Sequence, residues 1–168
     1  YIIRTSVKTE RMDAPTCVRT YKSLAQVERA FRSMKTMDLK VRPIHHHLEG
    51  RVRAHIFLCM LAYYVEWHMR EAWRELMFAD CDQAAKRERD PVAPAKRSAA
   101  AMKKVNQRTL DDGSPVHSFQ TLMQDLQTIV RNTCRTPTSG GDAPRFEITT
   151  NATPAQKRAL ELLSQIKV

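Results

Sequence analysis

Apolar residues recur at helical spacing along Tyr21 to Lys35, YKSLAQVERAFRSMK. At about 100° per residue, Leu24, Val27, Phe31 and Met34 fall on one side and predict an apolar seam. Residues seven apart drift by only roughly 20° on a helix, so Tyr21, Glu28 and Lys35 line a second stripe beside it, joined by Arg32. Upstream, Asp13, Ala14, Pro15 and Thr16 supply a helix start, with Asp13 as N-cap and Pro in the first turn. The helix is expected to reach about Lys35, with a bend near Ser23. Tyr1 to Val7 is β-rich and bounded by charge, which predicts a strand. It opens without an initiator Met, so a strand entered mid-fold, in a piece of a longer protein, is expected.

Residues 38 to 47, DLKVRPIHHH, read as a connector broken by Pro43. A long helix follows from Leu48 to about Leu76, with Glu49 placed to pair with Arg53 at i,i+4. Ile56 to Val65 is apolar on every side, the pattern of a helix buried within a domain, and Trp67 and Trp73 extend that packing. His55 and His68 read as structural on the same grounds. Residues 80 to 116 change character: Ala, Lys and Arg dominate, and Pro91 and Pro94 break the middle. Ala95 to Leu110 lacks a sizeable apolar face, so a mobile linker with a marginal helix is expected. Beyond it, Ser118 caps an amphipathic helix whose face carries Phe119, Leu122, Met123, Leu126, Ile129 and Val130. Thr136 to Pro144 is a Gly/Pro/Ser loop, Arg145 to Thr150 alternates like a short strand, and Thr153-Pro154-Ala155-Gln156 matches a capping box with Pro at N1. Leu160, Leu163 and Ile166 share the last helix face. The fold class expected is mainly α with one or two short strands.

Charge and chemistry narrow the functional classes. The 168 residues carry 28 Lys and Arg against 18 Asp and Glu, a net charge of +10. Such an excess attracts polyanions, nucleic acid first among them. The basic stretch from Lys86 to Arg108 suits either a phosphate-binding arm or a solvated spacer. The stripe of Tyr21, Glu28, Arg32 and Lys35 suits phosphate and metal chemistry, or a solvated face with charge pairs. His45, His46 and His47 are consecutive, so their side chains point in different directions and do not converge on one ion. The four cysteines show no CxxC spacing and read as reduced and structural, as in cytoplasm. Ile56 to Val65 is about half the length of a membrane span, and no signal-peptide pattern opens the chain. No GxSxG, HExxH or P-loop is present.

The spacing Y-x6-E-x6-K, followed by DLKVRPIHHHLEGRVRAHIFLCMLAYYVEW, resembles the C-terminal part of a bacterial insertion-sequence transposase. The group is the DDE enzymes with an RNase H-like fold and a Y-x2-R-x3-E-x6-K signature. Tyr21, Glu28 and Lys35 match that signature, and Leu24 stands where it has Arg. The resemblance covers most of residues 1 to 80 and returns in FQTLMQDLQTIVRN, RFEITT and TPAQKRALELL. It implies the end of an RNase H-like catalytic domain over residues 1–79 (strand, Glu-bearing helix, long buried helix), a basic linker over 80–116 and a helical tail over 117–168.

The resemblance also implies a chemistry. Glu28 becomes the last member of an acidic triad that holds Mg²⁺ or Mn²⁺ for phosphodiester cleavage and strand transfer. Lys35 and Tyr21 contact phosphates near the transposon end, and Arg32 lies where it could supply the charge absent at Leu24. Arg42 and His46 match further DNA-contact positions. The partners implied are transposon-end and target DNA, with a homodimer in a synaptic complex, no membrane and no small-molecule substrate. The compartment implied is the bacterial cytoplasm, at the nucleoid. Two-metal chemistry needs several carboxylates around ions about 4 Å apart. The family's two aspartates lie upstream of the segment matching YIIRTSV, so residues 1–168 alone are expected to be inactive. From a different class, a non-enzymatic basic helical DNA-binding module, or a relic of a decayed insertion sequence, accounts for the same charge.

Overall fold

The computed structural model describes residues 2–37, 39, 41–94, 96–136 and 144–167. The chain is mainly helical: 54% of the described residues lie in helix, and they form six α-helices and a two-stranded antiparallel sheet. It divides into two compact units. One comprises Tyr1–Met69 and Asp82–Lys96, the other Arg70–Cys81 and Arg97–Val168.

The first unit begins with α1, Ala14–Arg32. Its start follows the local chemistry: Asp13 is extended, its carboxylate accepts the Thr16 N–H at 2.9 Å, and Pro15 occupies the first turn. Pro costs nothing there because that N–H has no helical partner anyway. The helix runs unbroken through Ser23, whose hydroxyl donates back to the Thr20 carbonyl at 2.7 Å. It then widens into a π-helical turn, Ser33–Met37. After the turn the Leu39 and Val41 amides donate to the Ser33 and Met34 carbonyls at 3.2 and 2.9 Å. The strand expected over Tyr1 to Val7 does not form in residues 2–7. A lone segment has no ladder to join, and no other strand lies in this unit among the described residues.

Helix α2, Glu49–Ala72, forms where predicted and ends four residues earlier, in a 3₁₀ turn over Arg74–Leu76. The Glu49–Arg53 pair is made at 2.6 Å, with both side chains in solvent. The predicted burial fails: no residue of α2 is buried, and Phe57 and Leu58 are 62% and 60% exposed. A helix that is apolar all round needs neighbours all round, and this unit sets no sheet against it among the described residues. The seam of α1 is uncovered for the same reason, with Leu24, Val27 and Phe31 all about half exposed. Of the described residues in this unit only Ser33 is buried. A short helix, α3 (Gln83–Glu88), is capped by the Asp82 carboxylate on the Ala85 N–H at 2.9 Å.

The second unit holds the core. Trp73 is fully buried, its indole N–H donates to the Ala159 carbonyl at 2.8 Å, and its ring packs on Phe119 with centroids 5.8 Å apart. Leu76, Ala101, Val116, Leu122 and Ala159 are buried in the same unit. The stretch read as a linker supplies α4, Ala99–Gln107, which contributes Ala101 to that core. Its N-cap Ser98 is itself held, because the Asp80 carboxylate accepts both the Ser98 N–H at 2.9 Å and its hydroxyl at 2.8 Å. The Lys104 ammonium donates to the carbonyls of Glu75, Met77 and Ala79 at 2.9, 3.3 and 3.5 Å. Polar anchoring therefore replaces the apolar face that the composition lacks.

Helix α5, Phe119–Leu126, has the predicted Ser118 cap and stops before Ile129 and Val130, which lie outside it. Strands β1 (Arg131–Arg135) and β2 (Arg145–Thr149) pair antiparallel, Arg131 opposite Thr149 and Arg135 opposite Arg145. β2 is the predicted strand; β1 was not predicted. The loop read between Thr136 and Pro144 lies, from 137 to 143, outside the described residues. The last helix, α6 (Pro154–Ser164), carries the predicted capping box at Thr153 and Gln156. Gln156 is buried with its amide oxygen and both N–H groups engaged: its oxygen accepts the Thr153 N–H, and its nitrogen donates to the Asp125 carbonyl and the Thr128 hydroxyl, each at 2.9 Å. The cysteines at 17, 59, 81 and 134 are all free thiols. No helix among the described residues is long and apolar enough to cross a membrane.

Replacing Trp73 with Ala is expected to lower unfolding free energy by roughly 3–5 kcal/mol, the range for deleting a large buried aromatic. Trp73→Phe should cost less, keeping most of the buried ring while removing the indole N–H that donates to the Ala159 carbonyl. Urea titration followed by circular dichroism separates the two. Gln156→Leu should destabilise by about 1–3 kcal/mol, because a near-isosteric apolar side chain leaves the Thr153 N–H without its acceptor.

Candidate nucleic-acid interface

Helix α1 carries the residues singled out by spacing. Tyr21 and Glu28 lie on it exposed, seven residues apart and so about two turns along one face. Arg32 is exposed in its last turn, with Arg29 beside it, where cations offset the partial negative charge of the helix C-terminus. Lys35 falls in the π-helical turn, which underwinds the chain relative to an α-helix. It therefore lags behind the stripe that an unbroken 3.6-residue repeat predicts. Its ammonium lies 5.5 Å from the centre of the Phe31 ring, over the apolar seam. The structure thus keeps Tyr21 and Glu28 on a common face and draws Lys35 toward the seam.

Arg42 and His46 come from the segment between α1 and α2, and both are exposed. The His46 ring meets the His55 ring edge-on with centroids 5.7 Å apart. His55 Nε2 lies 3.1 Å from the Val41 carbonyl, within hydrogen-bonding distance when that nitrogen carries the ring proton. His55 thus links α2 to the segment that precedes it. His68 packs edge-on against Tyr64 and Trp67, with centroids at 4.4 and 4.9 Å.

The donor set tests whether this chain's residues fit a divalent cation. Among the described residues no three of His, Cys, Asp or Glu gather closely enough to hold a metal. Glu28 offers a single exposed carboxylate on α1. Mg²⁺ binds one or two carboxylates together with substrate phosphates and waters, and two-metal sites need more. These residues by themselves do not fit the ion.

Basic side chains outside α1 divide by engagement. In the second unit Lys103 pairs with Asp111 at 2.5 Å, and Lys104 is taken up by backbone carbonyls. Arg158 bridges Glu75 at 2.9 Å and Asp112 at 2.7 Å. Lys86, Arg87, Lys96, Arg97 and Arg108 remain exposed. A further basic set escaped the sequence reading: Arg131, Arg135 and Arg145, brought onto one face by the β1–β2 register. The signal was available as arginines at i and i+4 of a strand, but β1 (RNTCR) has too few apolar residues to be recognised as one.

Compared with protein-family models, curated proteins and solved structures, the chain has no match.

Asp13 gives this region a pH dependence. Hydrogen bonding from Thr16 holds its carboxyl below the ordinary carboxylate value, with Arg19 adding in the same direction. Because the folded value lies below the unfolded one, the cap contributes above the ordinary carboxylate range and is lost as pH falls through the depressed value. A carboxylate-detected NMR titration should place Asp13 below a free aspartate, with the Thr16 amide shifting in step. Asp13→Asn should keep the cap and remove the dependence.

Proposed function

We propose that this chain is the Glu-bearing C-terminal part of a DDE transposase with an RNase H-like catalytic domain, acting on the DNA ends of an insertion sequence. The observation that carries this reading is one of juxtaposition. The Y-x6-E-x6-K residues lie on or just beyond an exposed helix, beside an apolar seam and ahead of a long apolar helix, neither covered within its own unit. A helix pair of that kind suits a position against a sheet supplied by other residues. In this reading Glu28 is the catalytic carboxylate contributed by this chain, and the other acids come from a preceding segment. Glu28, together with those acids, would hold Mg²⁺ or Mn²⁺, and the ion would supply charge neutralisation at the scissile phosphate. Tyr21, Arg32 and Lys35 hold DNA phosphates near the reacting strand, and Arg42 and His46 contact the flanking duplex. A homodimer would bring two transposon ends together.

A second reading, a basic DNA-binding module without catalysis, is favoured by one observation: the described residues gather no carboxylate cluster while the chain carries a net charge of +10. The two readings separate at Glu28. In the protein expressed from the full reading frame, Glu28→Gln is expected to abolish metal-dependent cleavage of a transposon-end duplex while leaving duplex affinity within about twofold. Cleavage by the variant at the wild-type rate would sink the catalytic assignment. A frame that encodes no upstream acidic residues on strand-like segments would leave only the binding module.

A further inference from the structure

The β1–β2 ribbon sorts its side chains by face. Residues opposite one another in an antiparallel pair share a face, and successive residues alternate. Asn132, Cys134, Phe146 and Ile148 therefore lie on one side. Arg131, Thr133, Arg135, Arg145, Glu147 and Thr149 lie on the other, and all six are exposed. Glu147 serves Arg131 at 3.7 Å. Arg135 and Arg145 stand directly opposite each other at the end of the ladder. Among the described residues neither has an ion-pair partner.

Like charges directly opposite on a sheet are destabilising, and an isolated two-stranded ribbon has little stability to lose. Folding alone gives no reason for this arrangement. Two guanidinium groups on an open ribbon face are suited to an anion that bridges or follows them. The DNA major groove admits a two-stranded ribbon, and arginine forks match phosphate oxygens.

We propose that the β1–β2 ribbon is a duplex-DNA contact, with Arg135 and Arg145 as a backbone-phosphate clamp and Arg131 as a weaker, Glu147-moderated member. The contact uses none of the residues of the α1 stripe. It rests on the DNA-binding reading above, without needing catalysis. The apolar face, Phe146 and Ile148, does not enter the contact.

The test is a salt titration of duplex binding by the full chain, comparing wild type, Arg135→Gln/Arg145→Gln, and Arg51→Gln/Arg53→Gln on α2 as a matched-charge control. The ribbon variant is expected to lose roughly tenfold or more in affinity at low salt. Its plot of log K against log salt should flatten by about one per arginine removed. Its melting temperature should equal or exceed that of wild type, since a repulsion has been removed. Equal losses in the ribbon and control variants would reduce the effect to net charge and overturn the clamp. An unchanged ribbon variant, with wild type still binding, would overturn the clamp alone. A wild-type chain that fails to bind duplex at low salt would take the DNA-binding reading down with it. Polyglutamate competing as well as duplex at equal charge would overturn DNA as the partner.

Discussion

The second unit depends on where one indole goes. Trp73 has a large apolar body and a single N–H donor, and both are provided for at once. The body is buried against Phe119, and the donor meets the Ala159 carbonyl of α6. That single bond links residues 86 positions apart. The Arg70 guanidinium lies 4.3 Å from the centre of the Phe119 ring, so a cation borders the same aromatic pair. Around it the fold is held by polar anchoring: Gln156 ties α6 to the C-terminal end of α5, and Lys104 gathers the carbonyls that follow α2. Buried polar groups of this kind stabilise only when each is satisfied. For Gln156 and the Trp73 indole, each is.

Local signals were legible in the sequence, and distant ones were not. The caps at Asp13, Ser118 and Thr153 are short-range chemistry, a side-chain oxygen meeting an amide three residues on, and each formed where its residues stood. Burial is a different kind of property. Ile56 to Val65 has the composition of a core helix, but composition states only what a segment would gain from cover. What covers it depends on elements elsewhere in space. The same gap explains α4, whose alanines and lysines resemble a solvated linker until Asp80 and the Glu75, Met77 and Ala79 carbonyls are set around it. Nothing local to residues 98–107 announces those partners.

The α1 stripe was legible in outline. An ideal α-helix places Tyr21 and Glu28 together, and the structure agrees as far as Arg32. It departs at Lys35 because the π-helical turn intervenes, and no residue in SMKTM signals such a turn. Phe31 then accounts for where the ammonium settles, since an aromatic face attracts a cation that has passed beyond the α-helical register. A lysine that rests on a ring beside uncovered apolar residues is placed at the edge of any surface that comes to cover the seam.

The two units keep unsatisfied surface of different kinds. In the first, it is apolar: side chains of α1 and α2 gain nothing from water, so their exposure points to packing partners. The second exposes apolar side chains too, Phe146 and Ile148 among them, and adds a cationic pair: Arg135 and Arg145 are well solvated individually, and only their forced adjacency is unfavourable. The distinction matters for what each surface can recruit. Apolar area gains free energy from any well-fitting neighbour and discriminates through shape. A pair of facing guanidinium groups gains only from an anion, and loses that gain as salt competes. The apolar helices therefore carry information about assembly, and the ribbon carries information about charge.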